Sequence, residues 1–442
     1  MGMRWLIPAL AFLALAVAWR APLLLWLLLA GLAVAGAAFL AYRHLTAACV
    51  LWLLLAGATI EMTLTDLIGP EAFQTTIAWV KAVQVGLALL AALRWGGRLD
   101  PCNPAWGFAI MAAVGLAHGL YPGLTPLESL RSTIGSIAPF AFCFVRAPRS
   151  WAEAMLRAAR WCPVVAVAGG AVLAAAGVRP LFIDSGGWRL AGLGHPAFLA
   201  GVCLTAIYAG LIQFYRSGGR GELPLLAVNA ILLVLTGARA PLFYAAVVVG
   251  ITLFFVDSPA VAPRRRLVPL LGMAALAPLM LVLALAGDFD AIRLFHVLGG
   301  DPGNLSGREY LWAAFEAVTG DSPWVGWGIG AGNVIIPPDG PIAKLLRTWA
   351  AHNEYLRLQV EAGHLGRALL IGLFAAWSYR HTRVLPAAER RIMRLVFLAL
   401  AAHAFTDNVL ISTPACVLFA FTAAVFADGR GREGSWGFRA QP

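Results

Sequence analysis

A chain of 442 residues that is 60% hydrophobic and only 12% charged, with a mean hydropathy of +0.78, lacks the polar surface a water-soluble globule needs; soluble enzymes and soluble binding domains are excluded. The net charge of +11 does not point to nucleic acid, because the basic residues are scattered between apolar runs and follow membrane topology instead. Composition implies an integral membrane protein.

Apolar runs of roughly 15 to 22 residues recur along the chain, near the roughly 20 that cross a bilayer core as helix. They are continuous, rich in Ala and Leu, and carry no alternating barrel pattern. The expected fold is therefore all-α, a polytopic integral membrane helical bundle. In chain order the expected spans are 5–19, 21–42, 45–60, 77–93, 104–120, 134–145, 161–178, 196–215, 224–235, 241–256, 267–286, 365–379, 395–405 and 410–427. That makes about 12 to 14 transmembrane helices in one domain covering residues 1–442. The first run follows only Arg4 and is met at once by a second beginning at Ala21, which reads as a retained span rather than a cleaved signal peptide. Of the six cysteines only Cys102 lies in a polar loop, so neither a disulfide framework nor a zinc pattern is expected.

One set of alternate loops holds 21 basic residues, from Arg4 to Arg439, whereas the opposite short loops hold only Arg20, Arg131, Arg179, Arg189 and Arg239. By the positive-inside rule both termini are cytoplasmic, and the long polar interval 287–366 is one large periplasmic loop. Within that loop residues 308–318 read as a short amphipathic helix opened by Ser306. Residues 351–362 read as another, closed by Gly363. Between them lie Gly- and Pro-rich turns, and Gly326-Trp327-Gly328-Ile329-Gly330 reads as a tight turn facing substrate, since no strand-helix context for a nucleotide surrounds it.

Three kinds of residue could carry chemistry. His352, near the start of a helix on the outer face, can take up and pass on a proton, or it can simply cap and hydrogen-bond within the loop. Arg239 sits in a tight outer turn, Thr236-Gly237-Ala238-Arg239-Ala240-Pro241; Arg308 begins an outer helix; Arg189 lies in an outer Gly-rich segment. Several guanidinium groups at headgroup depth suit a phosphate or diphosphate, gripped bidentately, with snorkelling to lipid phosphates as the plainer alternative. Asp288-Phe289-Asp290 supplies two carboxylates, too few for a metal site, and no metal or other cofactor is expected.

The ordered set Thr236-Gly237-Ala238-Arg239, Gly307-Arg308-Glu309-Tyr310-Leu311-Trp312, Pro323-Trp324-Val325-Gly326-Trp327-Gly328-Ile329-Gly330 and His352-Asn353-Glu354-Tyr355-Leu356 resembles the O-antigen ligase and O-antigen polymerase superfamily. The likeness covers residues 189–366 in its motifs. It departs from the family pattern at Ala238, where Ser is usual. What the resemblance implies is a glycosyltransferase of the bacterial inner membrane, acting in polysaccharide and lipopolysaccharide biosynthesis. The donor would be a glycan linked to a polyprenyl diphosphate and the acceptor a glycan or glycolipid such as lipid A core. Carried over by position, Arg239 and Arg308 would hold the diphosphate, Arg189 would contribute with a less defined role, and His352 would be the general base. Asn353, Tyr355 and Trp312 would support it.

The bare residues are consistent with such chemistry: departure of a diphosphate needs its charge stabilised, and the incoming hydroxyl needs a base. Attack opposite the diphosphate inverts the anomeric centre. A repeat-unit polymerase and a protein O-oligosaccharyltransferase share the same motifs. A transporter is the reading outside enzymes, prompted by Lys81 within an apolar run, although the ionisable residues concentrate in the outer loop rather than at a midplane.

Overall fold

Helices form here because each apolar segment must close its backbone hydrogen bonds within itself. The structure, a computed structural model, describes residues 22–69, 73–184, 187–262, 266, 308–337, 340–346, 348 and 350–436, and of Arg308 the backbone alone. The expected spans 5–19 and 267–286, the Asp288-Phe289-Asp290 motif and the start of the large loop through Gly307 lie outside the described residues.

Helix α1 (Pro22–Arg43) meets α2 (Leu45–Gly57) in a bend of 108° at His44, so the expected spans 21–42 and 45–60 are not successive straight crossings. Thr59, in the left-handed region at φ 53°, then turns the chain into α3 (Ile60–Ile68). Next come α4 (Phe73–Trp95) and α5 (Pro104–His118), the latter started by Asn103, whose side chain accepts from the Ala105 amide at 3.0 Å, with Pro104 in the first turn. The expected span 134–145 is not a helix of its own. A capping box of Thr125 and Glu128 starts α6 (Pro126–Ile137), which gives way to a 3-10 segment, Ala138–Phe144, where Pro139 has no N–H for the ladder.

After α7 (Arg149–Ala175) the chain makes an antiparallel hairpin of β1 (Phe182–Asp184) and β2 (Trp188–Leu190), a small exception to the all-α expectation. Then follow α8 (Pro196–Ser217), α9 (Leu223–Leu235) and α10 (Arg239–Phe255). Residues 308–346 contribute α11 (Arg308–Asp321) and the short α12 (Pro341–Leu346). The chain ends with α13 (Glu354–Thr382), α14 (Ala387–His403) and α15 (Thr413–Trp436). Among the described residues three helices are long and apolar enough to cross a membrane, at Thr75–Trp95, Arg149–Ala175 and Pro196–Ser217, or up to four counting the bent α1–α2 pair as one; Pro104–His118, Leu223–Leu235, Arg239–Phe255 and Thr413–Asp428 are apolar but shorter.

Among the described residues two hydrophobic cores form. The larger lies between the long helices and centres on aromatic contacts, with Phe140 of the 3-10 segment 4.3 Å from Phe419 of α15 and 6.3 Å from Trp377 of α13, centroid to centroid. Ion pairs of Arg216 with Glu389 (2.6 Å) and Asp428 (3.2 Å) tie α8, α14 and α15 at the end of α14 away from His403. The smaller core gathers α11, α12 and the start of α13. Leu311 and Phe315, four residues apart on one face of α11, bury against Ala331, Ile336, Ala343, Ala351 and Val360. Fully burying a Leu or Phe contributes about 1.5–3 kcal/mol, so this cap has a stabilising core of its own.

Candidate active site

His352 is set by the chain on both sides of it. Trp312, one residue beyond the buried Leu311, donates its indole N–H to the Ala351 carbonyl at 2.8 Å. His352 itself lies in the left-handed region at φ 48°, an uncommon place for a residue with a Cβ and a cost that the surrounding contacts must offset. Asn353 caps α13, its side-chain oxygen accepting from the Leu356 amide at 3.1 Å. The Glu354 amide then donates to the Ala404 carbonyl (2.7 Å), and the Tyr355 hydroxyl to the Ala401 carbonyl (2.9 Å), while the Tyr355 ring packs on Phe405 at 4.3 Å. Trp312, Asn353 and Tyr355 all act on the backbone around the imidazole rather than on the imidazole.

Behind this turn α13 is broken and repaired. Gly363, at φ 62°, interrupts the helix, which frees the carbonyls of Val360 and Glu361 and the amides of His364 and Leu365. The glycine turn takes all four: the Trp327 and Gly328 amides donate to Val360 and Glu361 at 2.9 and 3.0 Å, and the His364 and Leu365 amides donate to the carbonyls of Pro323 and Trp324 at 2.8 and 3.1 Å. A Cβ on Gly363 would lie 2.2 Å from the Trp324 carbonyl carbon, and one on Gly326 would lie 2.3 Å from the Ala362 amide nitrogen. Gly326 and Gly328 through Gly332 are buried, so the expectation of a turn facing substrate is corrected: the glycines splice the cap to α13. Closer to His352, Arg357 is buried between Glu354 and Glu361, the latter at 2.5 Å. Burial by itself pulls its guanidinium down, but the two carboxylates outweigh this and hold it above its ordinary value.

The imidazole has a partner on each nitrogen. Nδ1 is 3.1 Å from Oδ1 of Asp407, and Nε2 is 3.0 Å from the Thr348 hydroxyl. Burial pushes the Asp407 carboxyl up, yet the hydrogen bond to His352 and the imidazoles of His352 and His403 hold it below the usual carboxylate range. An ionised carboxylate only accepts, so Nδ1 carries the hydrogen; in the neutral imidazole Nε2 then keeps its lone pair, to which Thr348 can donate. Asp407 sits in the 404–412 loop between α14 and α15; its amide donates to the His403 carbonyl at 3.1 Å, and the Asn408 amide donates to Oδ1 at 2.9 Å. The side chains of His352 and Asp407 are 29% and 41% exposed, so a substrate can reach the pair. Sequence reasoning missed Asp407. Its signal was the run Thr406-Asp407-Asn408, a short polar break between the last two apolar runs, on the same expected face as His352.

The arginines arrive on other elements. Arg239 is exposed at the first position of α10, after a turn in which Gly237 has φ 63°. The Thr236 hydroxyl accepts from the Ala238 amide at 3.3 Å, so the turn has a side-chain acceptor although position 238 itself is alanine. Arg189 is buried, and its Nε donates to the Thr236 carbonyl at 2.7 Å, bracing the turn that presents Arg239. Tyr244, five residues along α10, lies 5.2 Å from the ring of His403, whose carbonyl receives the Asp407 amide. Arg308 opens α11 one helical turn before Trp312, which touches Ala351. The His352, Asp407 and Thr348 side chains are thus in direct contact, and the helices bearing Arg239 and Arg308 are each joined to that contact through one neighbouring residue. Among the described residues no group of His, Cys, Asp and Glu has the arrangement of a metal site.

Residues 224–371, the segment that runs from the start of α9 into α13, match the model of a family described as O-Antigen ligase. No curated protein matches the chain.

Proposed function

From the membership of this chain in the O-antigen ligase and polymerase superfamily, carried by residues 224–371, we propose that it is a ligase-type enzyme, transferring a glycan from a polyprenyl-diphosphate carrier to an acceptor hydroxyl. Glycan transfer of the ligase or polymerase kind, from a lipid-linked donor, is what the family does. The finer assignment rests on the imidazole of His352, held by Asp407 on one nitrogen and meeting a hydroxyl on the other.

In this reading the acceptor hydroxyl takes the place of Thr348 at Nε2. Its oxygen attacks the anomeric carbon as its proton passes to Nε2, and the carbon–oxygen bond to the diphosphate breaks with the electron pair leaving on the diphosphate. Asp407 stabilises the imidazolium that forms, as a carboxylate behind a catalytic imidazole does. Arg239 and Arg308 neutralise the departing diphosphate, and Arg189 acts through the Thr236 turn. The step uses neither a metal nor a nucleotide sugar and inverts the anomeric centre.

The placement that goes with it is an inner-membrane protein of about 12 to 14 spans, with both termini cytoplasmic and the 287–366 loop in the periplasm. Lipid A core is the acceptor class of the ligase reading; a growing polysaccharide or a protein hydroxyl would make it a polymerase or a protein O-oligosaccharyltransferase. The transporter reading has no comparable support, since Lys81 is engaged in a hydrogen bond to Ile411 rather than lining a described passage.

The experiment is product analysis. The purified chain, in lipid nanodiscs, is given polyprenyl-diphosphate glycan extracted from the producing membranes and lipid A core as acceptor. The new linkage is then read by NMR. One glycan per core, with the anomeric configuration opposite to that of the donor, is the expected product. A retained configuration refutes the direct displacement, and a ladder of repeats refutes the ligase assignment.

A further inference from the structure

Lys81 stands out in the sequence as a lysine inside an apolar run, and the mechanism above does not use it. In the fold it is buried on α4, 6% exposed, and its Nζ donates to the Ile411 carbonyl at 2.8 Å. An ammonium buried among apolar helices is costly and calls for a reason. Ile411 lies near the end of the 404–412 loop, two residues before α15 begins, where a backbone carbonyl has no strand or helix partner of its own. The same loop carries Asp407, four residues earlier.

The loop is therefore fastened at both ends. At its start the Ala404 carbonyl accepts from the amide of Glu354, two residues after His352. At its end the Ile411 carbonyl accepts from Lys81. Between the two fixings Asp407 reaches Nδ1 of His352 at 3.1 Å. Gly135 of α6 leaves the space the ammonium occupies, for a Cβ there would stand 3.1 Å from Nζ. Glu61, fully buried on α3, lies within electrostatic range of Lys81. The hydrogen bond to Ile411 directs the Lys81 side chain at the loop.

We propose that Lys81 is a positioning residue for the His352–Asp407 pair: it fixes the far end of the 404–412 loop so that Asp407 holds the imidazole in the tautomer with Nε2 free. Its importance for transfer rests on the assignment of His352 as the base, but its action on the imidazole can be tested without any substrate.

The test is nitrogen NMR of the full chain, labelled with 15N-histidine in nanodiscs, with the His352 signals identified by their loss in His352→Gln. The wild-type protein shows Nδ1 protonated and Nε2 bare. Lys81→Met, and Gly135→Ala, which displaces the ammonium without removing it, both shift His352 toward a mixture containing the Nε2-protonated form, as Asp407→Asn does. Lys81→Arg, which keeps a donor, restores most of the wild-type pattern. Kinetics supply the second measurement: the double variant Lys81→Met with Asp407→Asn transfers glycan within about twofold of Asp407→Asn alone, because both changes disable one interaction. A wild-type tautomer in Lys81→Met, or rate losses that multiply in the double variant, overturns the proposal. If instead the tautomer responds as expected but His352→Ala still transfers glycan, the positioning role stands and the base assignment fails.

Discussion

Nδ1 of His352 and Oδ1 of Asp407 meet at 3.1 Å across 55 residues of chain. The contact gives the imidazole a fixed tautomer and a stabilising charge. Replacing Asp407 with Asn keeps the shape but allows the amide to donate to Nδ1, which moves the hydrogen to Nε2 and disables the base. The expected loss in kcat is roughly 10²–10⁴-fold, with little change in the KM for donor. Because the folded Asp407 carboxyl is held below its ordinary value, the stability it adds is present above about pH 4 and is lost as pH falls through the depressed value, a dependence that Asp407→Asn lacks.

Thr348 occupies, at 3.0 Å, the nitrogen that the acceptor uses in the proposed mechanism. Thr348→Val removes that internal competitor while preserving shape. A hydrogen bond of this kind contributes about 0.5–1.5 kcal/mol net, so the acceptor KM should fall by a factor of roughly 2 to 10, with kcat retained. Initial rates at varied acceptor concentration measure both. A kcat that collapses would assign Thr348 to proton transfer itself.

Arg239 is exposed at the start of α10 and free to grip two oxygens of a diphosphate. Arg239→Ala should lower kcat/KM for the polyprenyl-diphosphate donor by about 10²–10³-fold, the scale of losing one transition-state donor. Arg239→Lys keeps the charge but loses the fork, and should recover only part of the rate. Equal activity of the two variants would show that charge alone matters there.

Gly363 joins the cap to the rest of α13. Gly363→Ala forces a Cβ to 2.2 Å from the Trp324 carbonyl carbon at a φ of 62°. The left-handed conformation alone costs about 1–3 kcal/mol, and the clash adds to it. Thermal unfolding in detergent should show a melting temperature lower by several degrees, with transfer reduced in proportion to the unfolded cap.

How much of this the amino-acid order reveals depends on how local each feature is. The runs that became α5, α8 and α10 are legible because apolar length and a cap or proline sit in one window. So is α11, whose Leu311 and Phe315 follow helical spacing. Gly363 is recognisable as a helix end, but not as a splice, since the groups that repair the break come from Pro323 to Gly328. The bend at His44 and the 3-10 segment after Ile137 are hidden inside apolar runs that look continuous. Arg189 reads as one more outer cation until its Thr236 partner, 47 residues away, is seen to hold it. His352 is legible from its motif, whereas Asp407 lies in a three-residue polar break, and nothing in its own neighbourhood names an imidazole 55 positions earlier.

The central claim is that the Nε2 of His352 removes the acceptor's proton, and the direct measurement is the single-turnover transfer rate of His352→Ala in nanodiscs, with donor binding and melting temperature measured on the same sample. The account predicts a rate at least about 100-fold below wild type while donor binding and melting temperature are unchanged. A His352→Ala protein that transfers glycan at close to the wild-type rate would contradict it.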